Sequence, residues 1–435
     1  MRLLPTLFLL TAAHTTALAT DWPHWRGPSM NGAAPGAADP PTTWSETENL
    51  RWKIPLPGLG HSTPVIVGDK IFLTAAAPTG DPLPPKLSGR PGAHDNLPVS
   101  QKHDFIVLAL DKNTGKTLWQ KTVHTTLPHE GGHTTGSLAS GSPVADSGHV
   151  FAFFGSHGLY ALTHDGGLVW KKDLGDMFSK HGHGEGSSPV LHGDTLAVNW
   201  DHEDQSFLVT YDKTTGGEKW RTGRDELTSW SSPITIRHGN RTQLVVSATK
   251  AVRSYDLETG QLIWQAGGLS NNVVASPVHI DGILIAGSSY EKRAMLAVQL
   301  DGASGDVTAT DHLLWSRNQR TPYVPSPLAY RGSVYFLMHY QGILTKADPR
   351  TGDDQGGPFR LLGFRDIYAS PVAAAGRVYV TDRTAGTLVL SHTGQPEILS
   401  VNKLDDTFSA SPAISGKSLF LRGEKYLYHL APAGE

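Results

Sequence analysis

Histidine is the residue type in this chain best able to do chemistry, and it is unevenly placed. Twelve of the 21 histidines fall between His94 and His202. The densest stretch is His181-Gly-His183-Gly-Glu185. Alternate histidines on an extended segment put two rings on one side, here next to a carboxylate. Neutral imidazoles with a carboxylate suit Zn²⁺ or a similar divalent ion. The candidate ligands are His133, His181 and His183, with Glu185 or Asp201. The same side chains allow a second chemistry. His and Tyr could act as acid and base on a polyanionic or sugar substrate, with Arg293, Arg383 and Arg422 neutralising carboxylates. In the third reading these are solvated loop residues, or the polar floor of a protein-binding surface.

The elements that must position them repeat along the chain. A Ser-Pro or Thr-Pro dipeptide followed by an apolar strand recurs with proline at Pro64, Pro143, Pro189, Pro233, Pro277, Pro327, Pro371 and Pro412. Six of the seven steps are roughly 40–50 residues, the length of one β-propeller blade. Proline is tolerated at the first position of a strand, where no ladder donor is lost, so each dipeptide opens an innermost strand. The long step, Pro64 to Pro143, holds Ala75–His103, a proline-rich stretch without a strand pattern that reads as a long loop insertion.

A second repeat is Ala109–Trp119 (ALDKNTGKTLW). Asp accepts bonds from the backbone of a tight turn, Gly supplies its φ > 0 position, and the chain returns as a strand carrying Trp. Asp212–Trp220 and Asp256–Trp264 repeat it, Ala161–Trp170 is a weaker copy, and Asp348–Gly352 keeps only the turn. The last repeat has three strands before residue 435. Leu50–Ile54 looks like the outer strands of the other repeats, so it is expected to supply the fourth strand and close the ring. The expected fold is all-β: one eight-bladed propeller of four-stranded blades over residues 50–435. Trp52, Trp119, Trp170, Trp220, Trp264 and Trp315 are blade-docking core.

The pattern A-x-D-x-x-T-G-x-x-x-W, complete in Ala109–Trp119, resembles the tryptophan-docking motif of the quinoprotein alcohol dehydrogenase-like, PQQ-binding-like eight-bladed propellers. The propeller of the outer-membrane assembly lipoprotein BamB is related to these. Asp21–Gly32 (DWPHWRGPSMNG) resembles the leader of secreted PQQ-like repeat proteins. For the dehydrogenases of that superfamily the resemblance implies PQQ and Ca²⁺ in the top funnel, with Glu, Asn and Asp near the metal. For the lipoprotein it implies a protein-binding scaffold anchored through an N-terminal Cys, which this chain lacks.

In such a fold two sets of loops share the funnel face, and they sort the candidates. The blade-to-blade loops carry His61, His129, His133, His181, His183, Glu185, Trp230, Asn271, Asn272, Tyr323 and Tyr368. The loops between middle strands carry His157, Trp200, Asp201, His202, Lys250, Tyr290, Arg293, His339, Tyr340, Asp382, Arg383 and Arg422. The insertion also leaves a middle loop. Trp22 and Trp25 are expected to pin the leader, residues 20–49, to the propeller side.

Composition narrows the function further. The formal net charge is −3, which gives no general attraction to nucleic acid or an anionic membrane. There is no cysteine, hence no disulfide, thiolate metal site or attached c-type haem. Arg2, the apolar run Leu3–Ala13 and Ala17-Leu18-Ala19 read as a signal peptide over residues 1–19. The run is too short to span a bilayer. The sequence thus points to a monomeric periplasmic or secreted propeller that binds a protein partner or saccharide ligand in its funnel. The alternative is an enzyme of the same funnel, either a PQQ-dependent oxidoreductase or a polysaccharide-acting enzyme, with PQQ and Ca²⁺ or another divalent metal as the cofactor.

Overall fold

The computed structural model describes residues 21–433. The expected signal peptide lies outside them. Eight antiparallel sheets, each built on four strands, form a propeller ring. Blade 1 spans Val65–Thr126, blade 2 Val144–Lys172, blade 3 Val190–Gly223 and blade 4 Ile234–Gly267. Blades 5, 6 and 7 span Val278–Arg317, Leu328–Arg360 and Val372–Asn402. Blade 8 takes its inner three strands from Ala413–Leu430 and its outer strand from Leu50–Pro55, which pairs antiparallel with Tyr426–Leu430. The two ends of the chain thus close the ring with a β-ladder.

Two contacts hold each blade to the next. At the axis, the N–H of each Ser-Pro serine or threonine from Thr63 round to Ser370 donates to the hydroxyl of the next one. The links Thr63 to Ser142, Ser142 to Ser188 and Ser188 to Ser232 are each 2.9 Å. The series continues through Ser276, Ser326 and Ser370 to Ser411 at 2.8–2.9 Å. These N–H groups sit at strand starts, outside any ladder, and burial would be costly without a partner. At the rim, the docking tryptophan lies on the turn glycine of the following blade. Trp52 donates to Lys112 O at 3.1 Å and covers Gly115. Trp119, Trp170, Trp220 and Trp315 do the same to His164, Lys213, Leu257 and Pro349, covering Gly166, Gly216, Gly260 and Gly352.

The turns are built for this. Asp111 Oδ1 accepts from Asn113 N, Thr114 N and Thr114 Oγ1 at 2.8–3.1 Å, which holds its carboxyl below the usual range. Trp264 departs from the pattern. It is fully buried and donates to Gln243 of its own blade, while Gly305–Asp306 adds a fifth, parallel strand beside it. Blade 7 has no outer Trp. The leader covers that junction instead, with Trp44 buried against Tyr379 and Trp44 N bonded to Asn402.

Two expectations are corrected. The insertion is shorter than Ala75–His103. The second and third strands of blade 1 stay paired out to Thr79 and Lys102, because Ala75, Ala76 and Phe105 are buried and carry the ladder onward. The true loop is residues 80–101. The leader does not lie on the propeller's side. Trp22 pairs with Ile66, Pro23 O accepts from Ala145, Asn31 O from Ala329 and Gly32 O from Ala373. These are innermost-strand residues of blades 1, 2, 6 and 7, so the leader crosses the channel and plugs it. Arg26, 1% exposed, donates to the carbonyls of Pro371, Pro327 and Asn31.

Two predictions follow from this packing. At Gly260 a Cβ would meet the Trp220 ring at 2.6 Å, whereas at Gly239, also at positive φ, it would meet nothing. Both Gly260→Ala and Gly239→Ala incur the left-handed backbone cost of about 1–2 kcal/mol. The first should cost about 1–3 kcal/mol more through overpacking, read as the difference in denaturant midpoints. His24 in the plug is buried beside Arg26, and burial first, then that cation, pulls its pKa to about 3. Its folded pKa lies below the unfolded one, so the unfolded chain takes up the proton first as pH falls. Its stabilisation is complete above about pH 6.5 and should be lost progressively below it, by roughly 2 kcal/mol at pH 5. Melting temperature against pH should fall across that window, and less steeply for His24→Gln.

Candidate functional site

The plug turns the central channel into a blind funnel. The cavity is about 530 Å³. Its floor is the ring of Thr63, Ser142, Ser188, Ser232, Ser276, Ser326, Ser370 and Ser411, with Trp25 of the plug beneath. Its walls come from the blade-to-blade loops and the insertion.

One wall is imidazole. His133 comes from the blade 1–2 loop, His181 and His183 from the blade 2–3 loop, and His94 with Asp95 from the insertion. The ring centroids of His94, His181 and His183 form a triangle with sides of 4.9, 5.0 and 5.4 Å. His133 lies 4.8 Å from His183 on the other side. Backbone bonds strap the insertion to these loops. Leu97 N donates to Gly132 O, Thr134 N to Asp95 O, and Asn96 Nδ2 to the carbonyls of His181 and Gly182. Burial lowers the His133 pKa and takes His183 to about 4 and His61 to about 3. These three rings are therefore neutral at neutral pH.

The opposite wall is phenol. Tyr290 stacks on Tyr323 at 5.7 Å and 22°, Tyr323 is 6.3 Å from Tyr340, and Tyr340 is 5.8 Å from Tyr368. Burial raises the Tyr323 and Tyr368 hydroxyls, so they stay protonated donors. A hydrogen-bonded bridge joins the walls. Thr135 Oγ1 lies 2.8 Å from His133 Nδ1 and donates to Tyr368 at 3.2 Å. Trp230 sits between them, its Nε1 donating to Gly184 O at 2.7 Å. The described residues lining the funnel include no Lys or Arg.

Of the residues expected here, His61, His133, His181, His183, Glu185, Trp230, Asn272, Tyr290, Tyr323, Tyr340 and Tyr368 line the funnel. His339 stands behind Tyr323 at 5.4 Å. The others do different work. Trp200 is core between blades 2 and 3, stacked on Phe207. Asp201 is a buried ion-pair partner, bonded twice to Arg224 at 2.8 and 3.0 Å and to Ser229. His202 accepts from Phe178 N. Asp382 accepts from the backbone N–H groups of Arg365, Asp366, Thr384 and Ala385. Arg383 pairs with Asp366 and Glu424. Lys250 pairs with Asp225, and Arg293 is exposed. Arg422, 1% exposed, donates to Ser62, and burial lowers its pKa to about 9.

His129 and His157 fall in a smaller cavity of about 40 Å³ behind the imidazole wall. Glu185 separates the two cavities. Both its oxygens accept from Ser156, and burial chiefly raises its pKa to about 7. The expected metal set of His133, His181 and His183 with Glu185 or Asp201 therefore loses both carboxylates to internal bonds. Reading the sequence missed His94, Asp95, Thr135 and Trp25. For His94 and Asp95 the available signal was the position of the insertion, a middle loop on the funnel face. Trp25 carried no signal beyond the leader motif.

Among the described residues no group of three or more His, Asp or Glu side chains is placed to hold a metal ion. PQQ carries three carboxylates, and a lining without Lys or Arg does not neutralise them. The residues present do not fit PQQ with Ca²⁺.

Comparison with known proteins agrees with the fold. A family model described as outer membrane protein assembly factor BamB matches residues 103–355 and 205–434. A tetrathionate hydrolase of Acidithiobacillus ferrooxidans is 23% identical over 332 residues. That match covers 69% of this chain and 62% of the relative, so the chain spans about three fifths of its length. BamB from Moraxella catarrhalis superposes with a TM-score of 0.59 at 14% identity, covering 89% of this chain and 98% of that one. Quinohemoprotein alcohol dehydrogenase from Comamonas testosteroni superposes with a TM-score of 0.63 at 11% identity, covering 96% and 81%. At such identities these structures show the fold alone.

The buried pair yields a test of which polar residues are structural. Arg224→Met leaves Asp201 charged and uncompensated, and should destabilise the protein by about 3–5 kcal/mol in chemical denaturation.

Proposed function

The chain belongs to the family described as outer membrane protein assembly factor BamB, whose repeats build PQQ-type propellers, and on that premise we propose that it is an exported binding protein whose blind funnel holds a small, neutral, hydroxyl-rich ligand, a saccharide. The observation that carries this is the pairing of walls. A bank of four tyrosines offers stacking faces and hydroxyl donors. Across from it stand neutral imidazoles, Asn272 and Ser140. Apolar rings with a few converging polar groups are the usual composition of a small-ligand site.

The size supports the same reading, since about 530 Å³ falls within the range of ligand pockets. A flat protein surface would need no closed floor. Charge selects the ligand class. Without Lys or Arg in the lining, a dianion such as tetrathionate would be desolvated with only hydrogen bonds in return. A sugar loses little on the same transfer, because its hydroxyls find partners on both walls.

The test is a thermal-shift and calorimetric panel of neutral oligosaccharides, tetrathionate, and PQQ with Ca²⁺. At least one oligosaccharide should bind, and Tyr323→Ala should weaken it about tenfold or more. Binding of tetrathionate or PQQ with no response to any saccharide would overturn the proposal. So would saccharide binding that survives both Tyr323→Ala and Trp230→Ala.

A further inference from the structure

The plug does more than close the channel. Resting on the saccharide reading, we infer that the funnel takes the free end of a glycan chain and not a segment from its middle, with the terminal unit seated over Trp25 of the leader and held by Asn272.

The enclosure argues for a chain end. All eight blades place a residue on the floor ring, from Thr63 to Ser411, so at this depth the cavity is walled on every side. Beneath it the leader is hydrogen-bonded to the innermost strands through Ile66, Ala145, Ala329 and Ala373, and its Trp25 lines the cavity. The insertion adds His94 and Asp95 to one wall. A polymer bound along its length needs a groove open at two ends. A pocket with one mouth admits it end first, unless the chain doubles back within about 530 Å³, which a string of linked rings is too stiff to do.

The unsatisfied groups argue for hydroxyls at the bottom. Asn272, on the loop between blades 4 and 5, is 3% exposed and lines the cavity. Its Oδ1 is buried without a hydrogen-bond partner. Its backbone N–H already donates to Ser270 Oγ, so the loop is fixed without use of the side-chain oxygen. That separates Asn272 from Asp201, Asp382 and Glu185, whose oxygens are consumed by neighbours. Trp25 Nε1 is likewise buried and unpartnered. A buried polar atom without a partner is costly, and each such atom calls for an explanation.

The two atoms differ in kind. An amide oxygen only accepts and an indole N–H only donates. Sugar hydroxyls do both. A carboxylate or sulfonate could serve Trp25 but would face the Asn272 oxygen without a proton to give. The apolar face of a sugar ring is also provided for. Val274 and Val324, each two residues before a floor serine, line the cavity with the Trp25 indole.

The test titrates untagged full-length protein, by calorimetry, with linear cello-, laminari-, malto- and chito-oligosaccharides of two to six units. Polymers of the same linkages and cyclic malto-oligosaccharides are the comparison. At least one linear series should bind, with affinity that stops rising once the chain outgrows the cavity. Its polymer should compete in proportion to its number of chain ends, hence weakly at equal mass, and cyclic forms should not bind. Asn272→Ala should weaken binding about tenfold without lowering the melting temperature, since its Oδ1 has no partner to lose. Trp25→Phe, which keeps a ring in the plug and removes the N–H donor, should weaken binding severalfold. The inference fails, and the saccharide reading stands, if polymer and oligomer compete equally at equal mass, if a cyclic form binds as tightly as its linear counterpart, or if Asn272→Ala binds as the native chain does. If no saccharide binds, both fall.

Discussion

Everything in this molecule depends on closing a ring of eight sheets that have no common core. Each blade can bury its faces only against its neighbours, so the register between blades must be fixed at both small and large radius. At the axis this is done by serine hydroxyls accepting N–H groups that no strand could satisfy. At the rim it is done by an indole resting on a glycine that has no side chain to obstruct it. The two are complementary. The hydrogen bonds are directional and set spacing. The indole contacts are large, apolar and tolerant, and supply area. At blade 7, one of two blades without an outer-strand indole, the chain brings Trp44 from the leader to the same junction.

The axial ring also makes the site. Eight small polar residues on one circle leave an open, hydrophilic channel. A channel open at both ends would be a poor container, and the leader closes one end with Trp25 and Arg26. Burying a guanidinium without a carboxylate is costly. Here main-chain carbonyls that the inner strands leave unpaired offset the cost, and its pKa falls to about 9. The plug is thus held by the same unsatisfied backbone that the propeller architecture creates along its axis. The insertion acts at the other end, strapped over the loops of blades 1 to 3 and adding His94 and Asp95 to the wall.

Many residues that look functional in the sequence are consumed in building the loops. Asp201, Arg224 and Ser229 form a closed buried network. Asp382 takes four backbone N–H groups. Glu185 gives both oxygens to Ser156. A loop buried against its neighbours must satisfy its own backbone, and short carboxylates are well suited to that. The tyrosines are the opposite example. They are scattered between residues 290 and 368, nothing in their spacing announces a surface, and yet ring order stacks them into one wall.

The sequence alone determined the fold class, the blade count, the ring closure by Leu50–Ile54 and the docking role of the tryptophans. These are local and periodic signals. The proline at the strand start repeats eight times and the glycine turn five, so their sum is unambiguous even where single copies are weak. It also sorted the candidates by face, because strand order assigns every loop to a face. Only the tertiary structure decided which of them meet. The His94, His181 and His183 triangle joins an insertion to a loop some ninety residues away. Two of its rings, His94 and His183, are oriented by backbone carbonyls that no pattern of residue types encodes. The plug was equally out of reach, since a short leader could lie on the rim, the side or the axis. It settled on the axis because that is where unpaired carbonyls and an empty channel were left to fill.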